Sequence, residues 1–122
     1  MERTIGRDFG IQIAALPMGE DWVFLIRGGR AHIGAAAAAY PDGEAAAGTA
    51  ISLPGHREAE LAAEVAKKAA ARLKRAAAVV MGIHIDDATR ADIAAIVAEV
   101  HQRMELLLSE LQSGLAAPQR RE

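Results

Sequence analysis

The first half of the chain carries apolar residues at the short spacing that is typical of β-strands. Ile11, Ile13 and Ala15 alternate with polar or small residues, and a compact apolar run extends from Trp22 to Arg27. Alternation with a period of two and runs rich in β-branched and aromatic residues both favour strands over helices. We therefore predict a first strand near residues 11–15 and a second strand over 22–27.

Two more strands are predicted before the midpoint of the chain. Gly28 and Gly29 follow the second strand, and a glycine pair tolerates the positive φ angles of a tight hairpin, so we predict that strands two and three pair there. The third strand, Ala31 to Tyr40, contains five consecutive alanines, which favour a helix on propensity alone. We predict a strand because the hairpin before it and the turn after it leave a strand-sized segment. A fourth strand is predicted over about Ala45 to Leu53.

The second half of the chain predicts a helix, a buried strand and a second helix. The first helix extends from about His56 to Arg75. Its apolar stripe repeats every four residues, at Leu61, Val65, Ala69 and Leu73. Ala77 to Ile85 is almost continuously apolar, as buried strands are. The prediction is an α+β fold in the order β-β-β-β-α-β-α, in which two helices cover a mainly antiparallel sheet of about five strands.

The second helix has the strongest apolar periodicity in the sequence. Thr89 and Asp92 are spaced like a capping box, which predicts a helix from residue 89 to about 112. Its stripe comprises Ile93, Val97, Val100, Met104, Leu107 and Leu111, widened by Ile96, Leu108 and Leu115. Packing against the chain's own sheet explains this stripe. Contact with a helix of a second subunit also explains it, because a spacing of about 3.5 residues is that of coiled coils.

Alanine makes up about a quarter of the 122 residues. Alanine on strands brings little apolar area to a core, but it lets another surface approach the sheet closely. We therefore expect a packed helix, a partner subunit or a flat cofactor against the alanine-rich strands. The length predicts one domain over residues 1–112, and the polar sequence after it predicts a frayed tail over 113–122.

Charge and residue usage exclude several classes of function. The chain has 14 basic and 16 acidic residues and few aromatic ones, which argues against a nucleic-acid partner. It has no cysteine, so a disulfide or a thiolate metal site is excluded. No apolar run reaches the roughly 18 residues of a membrane span, and no signal-sequence core is visible. We expect a cytoplasmic protein that does not engage membranes.

The segment Pro54-Gly55-His56-Arg57-Glu58 lies where a predicted strand gives way to a helix. The free N–H groups at a helix start, together with the guanidinium of Arg57, would attract a phosphate or a carboxylate. A plain turn with a solvated first helical turn explains the same residues. The spacing does not decide between these interpretations.

The segment Gly82-Ile83-His84-Ile85-Asp86 ends the predicted buried strand. If the strand continues, His84 and Asp86 share one face. A carboxylate beside an imidazole fixes the tautomer of the ring, so the pair suits general acid–base chemistry or a metal site. A helix N-cap built from Asp86 or Asp87 explains the segment equally well. His101, on the second helix, is interpreted as helix surface or the edge of the stripe.

Three segments, taken in order, resemble one small protein family. They are His32-Ile33-Gly34-Ala35, Leu53-Pro54-Gly55-His56-Arg57-Glu58 and Gly82-Ile83-His84-Ile85-Asp86. Their order and separation look like those of the subunit-D-like proteins of gallate-type decarboxylases, which are described as prenylated-flavin chaperones. The resemblance covers about residues 9–110. One departure is Asp87, where the family pattern has asparagine.

The resemblance implies a non-catalytic accessory protein that binds prenylated flavin mononucleotide, or FMN, and delivers or matures it for a flavin-dependent decarboxylase. It also implies a fold akin to the small proteasome assembly chaperones, which are dimeric, and hence a homodimer. The implied cofactor-binding residues are His32, Gly34, Gly55, His56, Arg57, Glu58, His84 and Asp86. Two other functions remain open: a small metal-dependent enzyme that uses the histidines and Asp86, and a structural assembly factor that docks a partner through the second helix.

Overall fold

A computed structural model describes residues 9–55 and 58–114 of the chain. The strands before the first helix are β1 (Gln12–Met18), β2 (Asp21–Gly29), β3 (Ala35–Asp42) and β4 (Ala45–Ser52). They are followed by α1 (Ala59–Leu73), β5 (Ala77–His84) and α2 (Arg90–Ser113). The predicted α+β class and the order β-β-β-β-α-β-α are therefore confirmed. The predicted tail lies, from residue 115 onward, outside the described residues.

The five strands form one sheet in the order β1-β2-β5-β3-β4. β1 with β2 and β3 with β4 form antiparallel hairpins, whose turns contain Gly19 and Gly43 at φ 63° and 66°. β5 lies between the hairpins, parallel to β2 and antiparallel to β3. The sheet is thus mainly antiparallel, as predicted, with one parallel pair at its centre.

The predicted hairpin at Gly28 and Gly29 is wrong. These glycines are the last residues of β2, which pairs with β1 and β5 and not with β3. Gly29 has φ 62°, and a Cβ there would overlap the carbonyl group of His84. The glycine therefore serves close approach of β2 to the end of β5 rather than a tight turn. The chain then crosses the end of β5 and begins β3 only at Ala35.

The alanine-rich segment forms strand β3, as predicted, and α1 packs against it. Alternate residues of β3, namely Ala35, Ala37 and Ala39, are buried in the core. α1 lies over β3, β4 and β5 and buries Ala62, Val65, Ala66, Ala69 and Ala70. Methyl groups on both surfaces let the helix and the sheet approach closely, which explains part of the alanine content.

The buried stripe of α2 consists of residues that the sequence predicted, but it is narrower than the predicted stripe. Thr89 Oγ1 accepts from the Asp92 amide and Asp92 Oδ2 from the Thr89 amide, so the predicted capping box is confirmed. The buried residues are Ile96, Val100, Met104 and Leu108, whereas Ile93 is 53% exposed. These residues recur every four positions along one side of α2, without the alternating spacing of four and three that a coiled-coil seam has. These residues share one core with β2 and α1.

The helices leave one face of the sheet uncovered. Phe24 and Ile26 of β2 are buried in the core, while Leu25 between them points to the other side and is 39% exposed. We call this other side the open face. Its apolar residues include Ala14, Leu16, Val23, Leu25, Ala36, Ala38, Tyr40, Ile51, Ala78 and Val80.

Candidate functional site

The candidate site lies where the two parallel strands end. The last residues of β2 and β5, Gly29 and His84, are paired in register. Glu58, directly before α1, contacts β5 at Ile83, and α2 begins shortly after β5. The carboxyl ends of the parallel strands and the N-terminal ends of both helices therefore meet at one edge of the fold. Ligands of open parallel sheets bind at such an edge.

Residues 30–34, here called the crossing segment, pass over the end of β5. The amide of Arg30 donates to the carbonyl oxygen of His84 at 3.0 Å, and the amide of Gly34 donates to that of Met81 at 2.8 Å. Between these anchors the backbone of His32 lies so close to Gly82 that a Cβ on Gly82 would overlap it. The glycine in the third motif is therefore required by the first motif, which lies directly on top of it.

The crossing segment brings His32 and Arg30 to the residues that end β5. The ring centroids of His32 and His84 are 5.5 Å apart, with the rings tilted by 39°. His84 Nε2 lies 3.1 Å from Asp86 Oδ1, and Arg30 Nη2 donates to the same oxygen at 3.0 Å. Asp86 thus links an imidazole from β5 to a guanidinium from the crossing segment.

The charges of this cluster are open to solvent. The hydrogen bond and the charge of Arg30, followed by the hydrogen bond of His84, hold the pKa of Asp86 below its ordinary value. The Asp86 carboxyl is therefore ionised at neutral pH, and it orients both of its neighbours. The side chains of Arg30, Asp86 and His84 are 74%, 61% and 41% exposed. A ligand can reach them directly from solvent.

The second motif reaches the same place through Glu58. Its Oε2 accepts a hydrogen bond of 2.7 Å from the amide of Ile83, which ties the start of α1 to the end of β5. Gly34 joins β5 to the end of β4, since its carbonyl oxygen accepts from the amide of Leu53 at 2.8 Å. Gly55 has φ 83° in the turn before α1. These three residues shape the backbone around the site.

Of the predicted binding residues, the structure brings His32, His84 and Asp86 into one cluster, with Glu58 and Gly34 next to it. The predicted anion site at His56 and Arg57 lies outside the described residues. A direct role of any of these residues in binding stays a prediction.

The structure also shows the settings of Asp87 and His101, which lie outside the predicted binding set. Asp87 has φ 55°, and asparagine and aspartate are the residues that best tolerate such a left-handed angle. Aspartate at this position, where the family pattern has asparagine, therefore keeps the same backbone conformation accessible.

His101 lies between the helices, with Nδ1 3.1 Å from Lys68 Nζ and Nε2 3.3 Å from Glu64 Oε1.

Sequence reasoning missed the two clefts beside this cluster. The first, here called the apolar cleft, has a volume of about 160 Å³ and lies between the crossing segment and the sheet. Its lining includes Leu25, Arg27, His32, Ile33, Val80 and Gly82. The second, here called the glycine cleft, has a volume of about 530 Å³ and is lined by Gly10, Gln12, Arg27, Gly28 and Gly29 among others. The sequence does contain a signal for an anion site here, the arginine on each side of Gly28-Gly29, but the segment was interpreted as a hairpin turn.

The structure gives no support to a metal centre within the part of the chain that it describes. Across residues 9–55 and 58–114, no three histidine, aspartate or glutamate side chains are grouped so that they could hold a metal ion. Over the same residues, neither helix is long and apolar enough to cross a membrane.

Comparison with known proteins identifies a matching family and a similar fold. The chain matches the model of a family described as the prenylated flavin chaperone LpdD-like domain over residues 6–112. The solved structure of a novel chaperone complex for yeast 20S proteasome assembly has the same fold, with a TM-score of 0.57 and 12% sequence identity. That match covers 87% of this chain and 98% of the other. No curated protein matches the chain.

Proposed function

The chain belongs to the prenylated flavin chaperone LpdD-like family and is a non-catalytic accessory protein; on that premise we propose that it binds prenylated flavin mononucleotide and delivers it to a flavin-dependent decarboxylase. The observation that carries the proposal is the meeting of three motifs, distant in sequence, at the ends of β2 and β5. His32, Glu58 and His84 reach this edge from the crossing segment, the start of α1 and the end of β5. If each motif formed only a local turn, the three motifs would not need to lie at the same edge of the fold.

The residues at this edge fit a flat, anionic ligand. The tilted rings of His32 and His84 offer an aromatic surface next to hydrogen-bonding nitrogens. Asp86 orients His84 and Arg30, so their positions are set before a ligand arrives. Arg27, between the clefts, supplies a positive charge for a phosphate.

The exposure of the site supports carriage rather than catalysis. Prenylated flavin supplies the covalent chemistry of a decarboxylase, so an accessory protein has only to hold and release it. Sites that retain small ligands bury most of the ligand surface. Here the charged cluster is open to solvent, and the apolar cleft opens towards the uncovered face of the sheet. A bound ligand therefore stays accessible from the side of Arg30, Asp86 and His84, where a partner enzyme can take it up.

The binding half of the proposal is tested by gel filtration of the protein after mixing with prenylated flavin, with absorbance followed at the flavin wavelength. We expect flavin to elute with the wild-type protein and with a His101→Gln variant, but less flavin with a His84→Gln variant. The two substitutions are chemically identical, and His101 lies between the helices, away from the site. Absence of flavin from the wild-type fraction would contradict the proposal.

The delivery half is tested with an apo-decarboxylase of the gallate type. We expect the flavin-loaded protein to restore decarboxylase activity faster than the same concentration of free prenylated flavin. The His84→Gln variant, loaded in the same mixture, should give the rate of free flavin. Equal rates for loaded wild type and free flavin would rule out a delivery role and leave binding intact.

We also propose that the protein is a homodimer in which two open faces pack together, so that the second copy also covers the apolar cleft on the side of Leu25 and Val80. One row across the sheet, Ala14-Leu25-Val80-Ala36-Ile51, is apolar on all five strands and carries no charge that would repel a second copy. Five strands spaced by about 4.8 Å, each about 26 Å long, give a face of roughly 600 Å² per copy. Two such faces reach the lower limit of roughly 1,200 Å² for specific interfaces. The alanines let the two sheets approach closely.

Sedimentation of charged variants tests this dimer against one formed by helices. Ile51 on the open face and Leu106 on α2 are 66% and 64% exposed, so an arginine at either position leaves the core intact. We expect Ile51→Arg to be monomeric and Leu106→Arg to be dimeric like the wild type. The reverse result would place the interface on α2, and a monomeric wild type would exclude the dimer.

The structure gives less support to the alternative function, an assembly factor that docks a partner through α2. Leu107 and Leu111, two of the leucines that suggested such docking, are half-buried and pack against the chain's own core. Leu106 is the large apolar residue exposed near this end of α2 within the described residues. The open face presents a wider apolar surface than this end of the helix does.

A further inference from the structure

The two clefts beside the histidine cluster are adjacent and chemically different. Both are lined by Arg27 and Ala31, so a single ligand can extend from one cleft into the other. The large apolar side chains that line the apolar cleft include those of Leu25, Ile33 and Val80. The glycine cleft presents polar backbone and the side chains of Gln12 and Arg27. The pair of clefts therefore suits a ligand that has an apolar body and a charged arm.

The apolar cleft suits part of a ligand rather than a whole one. Its volume of about 160 Å³ lies below the roughly 300–1,000 Å³ of pockets that enclose a small molecule. His32 lines this cleft and also contacts the ring of His84. A ring system that lies against the two histidines can thus place one edge in the cleft, under Ile33.

The glycine cleft suits a phosphate. Gln12 Oε1 accepts a hydrogen bond of 3.0 Å from Arg27 Nε, which fixes the plane of the guanidinium and directs its Nη1–Nη2 edge away from Gln12. That edge binds phosphate oxygens in pairs. Arg30 is already engaged in an ion pair with Asp86. Among the described residues that line this cleft, Arg27 carries the positive charge, and glycines beside it leave room for an anion.

We infer that the apolar cleft, formed by Leu25, Ile33 and Val80, binds the prenyl-derived carbons and the adjoining edge of the flavin, and that Arg27 binds the phosphate in the glycine cleft. The inference rests on the proposed function and deepens it. It assigns to Ile33 the discrimination between prenylated and ordinary flavin, and to Arg27 the discrimination between FMN and riboflavin. Neither residue belongs to the predicted binding set.

Binding constants of three flavins test the assignment. Dissociation constants for prenylated FMN, FMN and riboflavin are measured by flavin fluorescence for the wild type, Ile33→Ser and Arg27→Gln. The matched controls are Leu106→Ser, which alters an exposed apolar residue of α2, and Arg103→Gln, which alters an exposed arginine of α2. Circular dichroism confirms that each variant is folded.

The expected results distinguish binding of the prenyl-derived carbons from binding of the phosphate. Ile33→Ser should weaken binding of prenylated FMN by about ten-fold and that of FMN by much less, because a few apolar carbons lose their contact. Arg27→Gln should reduce the preference for FMN over riboflavin by about ten-fold or more, because hydrogen bonds to a charged group are lost. The two control variants should behave like the wild type.

Three outcomes would overturn the assignment. Equal effects of Ile33→Ser and Leu106→Ser would remove the apolar cleft from the site. An unchanged FMN preference in Arg27→Gln would remove Arg27 from the phosphate site, and loss of that preference in an Arg57→Gln variant measured in the same way would assign the phosphate to Arg57. Failure of the wild type to bind any flavin would overturn the proposed function as well, whereas the first two outcomes leave that function standing.

Discussion

The backbone of His32 lies directly over Gly82, so closely that any side chain at position 82 would overlap the His32 carbonyl group. Two motifs that are far apart in sequence are therefore parts of one structural device. The glycine lets the crossing segment lie flat on β5, and the crossing segment holds His32 beside His84 and forms one wall of the apolar cleft. The shape of the site therefore depends on glycine at position 82, because any other residue would place a Cβ there.

Gly82→Ala should displace the crossing segment from β5. A methyl group forced into a closely packed contact costs about 1–3 kcal/mol, so the free energy of unfolding in urea should fall by that amount. Gly43→Asn is the control, because Gly43 lies in a turn at φ 66° with open space around it, and asparagine tolerates this angle. Equal stability of Gly82→Ala and wild type would show that the segment does not lie against β5.

The burial of Leu108 and the exposure of Leu106 predict unequal roles for these neighbouring leucines. Leu108→Ala should reduce the free energy of unfolding by about 2–5 kcal/mol, because it leaves a cavity in the core. Leu106→Ala, at a position that is 64% exposed, should change it by less than about 0.5 kcal/mol. Urea unfolding of the two variants measures both values. The reverse order would mean that α2 is rotated about its axis.

Glu58 should stabilise the junction between α1 and β5. Glu58→Ala leaves the amide of Ile83 without its carboxylate acceptor and should cost about 1–3 kcal/mol of unfolding free energy. Glu60→Ala, in the exposed first turn of the same helix, is the control and should change the stability little. Amide hydrogen exchange at Ile83 should quicken in the first variant only. Unchanged exchange there would show that the hydrogen bond is absent in solution.

The charge of Arg30 should be visible in the titration of Asp86. Arg30 and His84 lower the pKa of this carboxyl in the folded protein below its ordinary value of 3.8. The resulting stabilisation is present above pH 3.8 and is lost as the pH falls through the lowered pKa. In Arg30→Gln the pKa, followed by the carboxyl carbon shift in NMR, should rise towards the ordinary value. In Arg103→Gln it should stay where it is, and a rise in both variants would contradict the ion pair.

Much of the fold was predictable from local pattern, because each element has a local signal. The five strands, the two helices and the Thr89–Asp92 capping box follow from periodicity, turn residues and cap spacing. The order of strands in the sheet did not follow, since the insertion of β5 between two hairpins depends on contacts distant in sequence. The Gly28-Gly29 pair misled for the same reason: a glycine required by close approach has the sequence signature of a hairpin turn.

For the stripe of α2 and for the candidate site, too, one part could be predicted from the sequence and another part could not. Ile93 and Ile96 both fit an apolar repeat, and the spacing does not decide which of them faces the core. His84 and Asp86 were paired from strand alternation, family resemblance added His32 to them, and the structure shows that the three meet. The position of Arg27 beside the apolar cleft could not be predicted, because it depends on where residues 30–34 cross the sheet.

The most direct test of the account is an NMR titration of the wild-type protein, labelled with ¹⁵N, with prenylated flavin mononucleotide. We expect the largest amide shifts in residues 27–34 and 82–86, on the two sides of the crossing point, and no change in α2 beyond residue 100. Shifts centred on α2, or no shifts at saturating flavin, would contradict it.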